Sequence, residues 1–118
     1  MLAMAERVTV ERTGAVLASD LRVASSAWAR FRGLMLVSKL GPGAGLDIRP
    51  CGSIHMMFMR FAIDAVFYDS DGRVTKVSRG VRPWIGIAFG GRGAKGVIEL
   101  PRGAAAFVER GHQLEFAA

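Results

Sequence analysis

Residues 53–71, SIHMMFMRFAIDAVFYDSD, decide how this chain is read. The stretch is an apolar β segment interrupted by three polar exceptions ahead of its closing turn, His55, Arg60 and Asp64. A charge set among Met, Phe, Ile and Val must be paired or hydrogen-bonded, because burying it alone costs several kcal/mol. Asp64 is therefore the first residue to explain. On a straight strand Arg60 and Asp64 would stand about 13 Å apart at roughly 3.3 Å per residue, so they cannot meet unless the chain bends at Phe61-Ala62. Asp64 is expected to accept hydrogen bonds from backbone amides or from an arginine near Arg30–Gly33. That makes Asp64 and Arg32 candidate structural ties between sheet and helix.

Working outward, Asp69-Ser70-Asp71-Gly72 is a turn whose Asp and Gly tolerate positive φ, and Arg73–Val77 is the returning strand. Residues 80–96 hold six of the fifteen glycines with Pro83 and Trp84, a long connection for a compact domain. Val97–Leu100 and Gln113–Phe116 read as strands, and Gly103–Arg110 as a short helical turn closed by Gly111. Upstream, Val8–Arg12, the Thr13-Gly14 turn and Ala15–Ala18 form a hairpin, followed by short strands at Leu21–Val23 and Leu46–Ile48. Between these, Trp28, Phe31, Leu34 and Met35 fall at helical spacing, which predicts a main helix over 27–37 capped by Ser25 or Ser26. The expected fold class is α+β: a mostly antiparallel β barrel or half-barrel of six to seven short strands packed on one main helix, as a single domain over 8–116.

Composition narrows the function classes. At 118 residues and 51% hydrophobic the chain can bury one core. Cys51 is the sole cysteine, which excludes an intramolecular disulfide and fits a reducing compartment. The start MLAMAERVTVERTG puts Glu6 and Arg7 before any apolar run of signal-peptide length, and no run is long enough to span a bilayer, so a cytoplasmic, non-transmembrane protein is expected. Net charge is +6, and 13 of the 16 basic residues are arginine, the side chain suited to planar contacts with phosphate or carboxylate.

The motifs Arg30-Phe31-Arg32-Gly33-Leu34-Met35, Ser53-Ile54-His55 with Met59–Phe67, Asp71-Gly72-Arg73-Val74, and Glu99-Leu100-Pro101 with Gly103 occur in an order that resembles the family of domain of unknown function 192. The resemblance covers nearly the whole chain, about 8–116. It implies a compact β-rich α+β fold and no particular activity. Two departures stand out: Gly45-Leu46-Asp47-Ile48 where many relatives have Gly-Met-Leu-Phe, and Gly111-His112 where they usually have Gly-Asp. His112 would replace a terminal acid with a group of opposite charge preference.

Three constellations are candidates for function. The first is a basic, Trp-bearing surface. Residues 73–97 carry Arg73, Lys76, Arg79, Arg82, Arg92 and Lys95 with no acid, and Trp84 and Ile85 lie in the same Gly-rich connection. A binding or accessory module is expected to use Arg79, Arg82, Trp84, Arg92 and Lys95 as contacts for an anionic protein, ligand or membrane surface. No recognised nucleic-acid motif is present, so sequence-specific readout is not expected. The alternative is a small-molecule or hydrolytic pocket in which His55, Arg60 and Asp64 converge for proton transfer beside an anion. Third, Cys51, His55, Met56, Met57 and Met59 are soft ligands of the kind copper(I) takes. Without CxxC or paired histidines, though, no metal and no cofactor is assigned.

Overall fold

The structure is a computed structural model, which describes residues 6–24, 26, 33–34 and 39–117. Nine strands appear in chain order: β1 Glu6–Val10, β2 Val16–Ala24, β3 Ala44–Ile48, β4 Ser53–His55, β5 Ile63–Tyr68, β6 Val74–Val81, β7 Ile87–Phe89, β8 Gly96–Pro101 and β9 Leu114–Ala117. Seven build one sheet in the order β6-β5-β8-β3-β2-β1-β9, and β4 and β7 form a separate two-stranded sheet. All pairs are antiparallel except β2 with β3. A parallel pair needs a long crossover, and residues 25–43 supply it.

The α+β expectation is corrected: among the described residues there is no helix, and the architecture is all-β with a mixed sheet. Most of the helix predicted for 27–37, with Arg32, lies outside the described residues. The segment Gly103–Arg110, expected to be a helical turn, is a series of turns. Gly103 sits at φ 93°, a left-handed conformation that cannot begin a helix. The expected barrel is also overturned. One bridge, Arg73 with Gln113, brings the two edges of the large sheet together at a corner, but no ladder continues from it.

The segment 53–71 is not one strand. It breaks into β4, a turn-bearing connection, and β5. β5 is buried at all six positions because it lies inside the sheet with side chains on two cores. Val66 and Tyr68 join Leu21, Ile98 and Leu100 on one face, while Ile63, Ala65 and Phe67 join Leu46, Ile48, Met56 and Met59 on the other. A strand covered on both faces reads as a continuous apolar run rather than an alternation. The second core is roofed partly by the inward residues of the small sheet, Ile54 and Ala88. That leaves the outer face of β4 and β7 directed away from the core.

Candidate functional site

On that outer face the cross-strand partners are Ser53 with Phe89 and His55 with Ile87. Ile87 is 63% and Phe89 62% exposed, although both belong to residue types that normally fill a core. The two connections that leave the His55–Ile87 end of the small sheet extend this surface with Met57, Phe58, Trp84 and Ile85, the last 74% exposed. Together these six side chains expose roughly 600 Å² of apolar surface, taking about 150–250 Å² for each full side chain. That matches the largest patch a monomer usually shows.

The surface is built rather than loose. Met56 is fully buried, and its backbone ties both connections: its N–H donates to Gly86 O at 2.9 Å, and its carbonyl accepts from Trp84 N at 2.7 Å and Met59 N at 3.0 Å. Gly86 closes the Trp84 turn with a 3.0 Å bond from its N–H to Arg82 O, and an added Cβ there would meet that carbonyl oxygen at 2.5 Å. Phe58 and Trp84 adopt positive φ, 63° and 67°, and their rings meet edge to face with centroids 5.4 Å apart. A bulky residue in this region costs of order 1–3 kcal/mol, and such strain clusters where a protein holds a side chain for use. Arg60 and Arg82, exposed in the same two connections, supply positive charge, and residues 48–63 and 72–98 contain no acid.

The sequence-derived binding residues do not form one surface. Arg82 and Trp84 belong to this apolar face. Arg79 and Arg92 line an open groove along β6 instead, and Lys95 is exposed just before β8, its amide donating to Tyr68 O at 2.8 Å. The trio His55, Arg60 and Asp64 is not gathered either. His55 is exposed at the end of β4, its Nδ1 accepting from Met57 N at 3.3 Å, and Arg60 is exposed in the connection to β5. Asp64 is 1% exposed and points into the other core. Its Oδ1 accepts from Gly80 N at 2.9 Å, and its Oδ2 from Gly103 N at 2.9 Å and Ala105 N at 3.0 Å. One carboxylate thus joins β5, the end of β6 and the turn after β8. The small depression beside it is lined by Arg79, Gly80, Arg102, Gly103 and Ala106, with neither His55 nor Arg60.

The soft-ligand residues are separated too: Met56 and Met59 are core residues, Met57 is exposed, and Cys51 Sγ donates to Ser53 O at 3.0 Å. Among the described residues no three of His, Cys, Asp and Glu are grouped for a metal ion.

Two buried acids escaped the sequence reading. Asp47 is fully buried, accepts from Tyr68 Oη and pairs with Arg49. Glu99 is 4% exposed beside Gly33 and Ile48, and among the described residues its Oε1 has no hydrogen-bond partner. Burial pushes its carboxyl up to about 7. The signal that flagged Asp64, an acid inside an apolar strand, is equally present in GLDI and VIEL. The exposed Met57, Phe58, Ile87 and Phe89 had no such signal, since their types read as core.

The profile of DUF192, described as "Uncharacterized ACR, COG1430", matches residues 8–116. A "UPF0127 protein" of Thermococcus sibiricus (strain DSM 12597 / MM 739) is 37% identical over 94 residues, which cover 76% of this chain and 60% of that protein. The chain thus spans about 60% of that relative's length. Two crystal structures share the fold. One is a protein of unknown function from Novosphingobium aromaticivorans DSM 12444, with a TM-score of 0.82, 20% identity, and coverage of 98% of this chain and 92% of that one. The other is described as a candidate transcription regulator from Sinorhizobium meliloti 1021, with a TM-score of 0.77, 23% identity, and coverage of 97% and 96%. At these identities the likeness is one of fold alone. No helix among the described residues is long and apolar enough to cross a membrane.

Proposed function

The chain belongs to the DUF192 family, and from that starting point we propose that it is a binding or accessory module whose contact surface is the outer face of β4 and β7 with the Trp84 and Phe58 turns. Its partner is a surface both apolar and anionic, of the kind a phosphatidylglycerol-bearing bilayer presents. The observation that carries this reading is the Phe58–Trp84 pair: two bulky aromatics in strained left-handed backbone, in contact with each other and open to solvent.

If half of the apolar patch left water on docking, about 300 Å² at about 25 cal/mol per Å² would contribute roughly 7 kcal/mol before association costs. Those costs run from about 4 kcal/mol upward, so binding would be reversible and dependent on charge attraction through Arg60 and Arg82. Tryptophan favours the headgroup boundary, where an amphipathic ring meets both hydrocarbon and water.

The experiment is co-sedimentation of the purified protein with vesicles of phosphatidylcholine alone or mixed with phosphatidylglycerol. The reading expects binding to the mixed vesicles, weakened by salt and lost in Ile85→Ser/Phe89→Ser. Equal behaviour of that variant and the parent, or no sedimentation with either vesicle, would refute it.

A further inference from the structure

We infer that the open groove along the outer edge of β6 is a binding site for a phosphate-bearing polyanion. This goes beyond the docking face, because it stands on other residues. The groove encloses about 770 Å³, within the range of ligand sites. Its lining brings together five cations, Arg73, Lys76, Arg79, Arg92 and Arg110, from three separate stretches of chain. Two carboxylates, Asp69 and Glu109, share the lining, yet among the described residues none of the five cations is in an ion pair. Asp69 Oδ1 is engaged with the backbone, accepting from Asp71 N at 2.9 Å and Arg73 N at 3.0 Å. Among the described residues the side chains of Lys76, Arg92 and Arg110 make no hydrogen bond or ion pair, and Arg73 and Arg79 bond only backbone carbonyls.

Both walls are fixed to β6. On one side Thr75 Oγ1 donates to Gly90 O at 2.8 Å, setting the loop that carries Arg92. On the other, Gly111 N donates to Val74 O at 2.9 Å, and Arg73 Nη1 donates to Gly111 O at 3.2 Å. Arg79 is pinned by backbone carbonyls: Nε donates to Ala105 O at 3.2 Å and Nη2 donates to Val108 O. A guanidinium held this way loses little freedom on binding. Four of the five cations are arginines, whose planar fork matches phosphate oxygens in pairs. At the rim, Gly91 and Gly93 have positive φ with open space where a side chain would stand, so the backbone itself can approach an oxyanion.

Consecutive phosphates occur in free polyphosphates and in nucleic-acid strands, and the two sources are separated by titration. Inorganic tripolyphosphate and a fluorescein-labelled single-stranded DNA of about 12 nucleotides are the two probes. Micromolar binding of at least one is expected at about 50 mM salt. With about four phosphates neutralised, strand affinity should fall about fifty-fold on going to about 200 mM. Lys76→Glu/Arg92→Glu, both exposed positions, should weaken binding at least tenfold, whereas Arg22→Glu, exposed on β2 and outside the groove lining, should weaken it no more than about twofold.

Binding of tripolyphosphate alone identifies a small-molecule site, and binding of the strand alone a nucleic-acid site. Failure of both probes to bind more tightly than millimolar, or an equal loss in Arg22→Glu and in a single Lys76→Glu, overturns the inference. Ile85→Ser/Phe89→Ser should leave these affinities unchanged, which separates this outcome from that of the docking face.

Discussion

Replacing Asp64 by Asn removes one charge and almost no volume, so its effect isolates what the carboxylate does. In the native protein three amides converge on it: Gly80 on Oδ1, and Gly103 and Ala105 on Oδ2. An asparagine keeps its oxygen where two amides meet and turns its NH₂ toward Gly80 N–H, donor against donor. One charge-assisted bond is lost, at about 1.5–3 kcal/mol, and a shielded amide is left without an acceptor, at about 1–3 kcal/mol. The two remaining bonds weaken as the acceptor becomes neutral. The sum is about 4 kcal/mol, a large share of the roughly 5–15 kcal/mol that stabilises an ordinary domain. In urea, with an m-value of about 2 kcal/mol per molar, the midpoint should fall by about 2 M while m is unchanged. A loss of less than about 1 kcal/mol would show that the amides find other acceptors and that Asp64 does not tie the three segments.

Glu99 gives a pH signature of opposite sign to the usual carboxylate. Its folded-state pKa is raised from 4.5 to about 7, so the native state holds the proton more tightly, and stability is fully present below 4.5 and lost as pH rises through 7. The loss is about 3 kcal/mol at most, and Glu99→Gln should flatten unfolding free energy measured between pH 4.5 and 8. A parent protein whose stability is level across that window contradicts the assignment. Tyr68→Phe removes the hydroxyl that donates to buried Asp47 and should cost about 2 kcal/mol by chemical denaturation, with no change indicating that Arg49 alone satisfies the acid. Trp84→Gly relieves a left-handed backbone but loses the ring contact with Phe58. Unfolding free energy should stay within about 1 kcal/mol of the parent while vesicle binding disappears; a variant that still sediments with vesicles contradicts the role of Trp84.

The parts of the fold legible in the sequence were those set by local pattern. The hairpin at Thr13-Gly14 and the turn at Asp69–Gly72 join the strand pairs where their residue types put them. The burial of Asp64 follows from its neighbours. What depended on long-range contact was not legible. Residues 53–71 looked like one strand because a buried turn and a doubly covered strand are equally apolar; only tertiary packing splits them into β4 and β5. The Gly-rich stretch 80–96 concealed β7, whose three residues have no stability without β4. The parallel β2–β3 pair departs from the expectation of a mostly antiparallel sheet, because strand direction is set by pairing far along the chain. At the candidate site, charge was legible and geometry was not. The basic residues of 73–97 separate in space: Arg73, Lys76, Arg79 and Arg92 line the groove, Arg82 lies in the connection that carries Trp84, and Lys95 is exposed just before β8.

The most direct measurement is quenching of tryptophan fluorescence by brominated lipids in phosphatidylglycerol-bearing vesicles, for the parent and for Trp84→Phe, because short-range quenching reports contact between one ring and the acyl region. The account expects strong quenching in the parent and little in Trp84→Phe, with the residual signal coming from Trp28. Equal quenching in both proteins, or none in the parent under conditions where it sediments with the vesicles, would contradict the claim that the Trp84 face is the surface that docks.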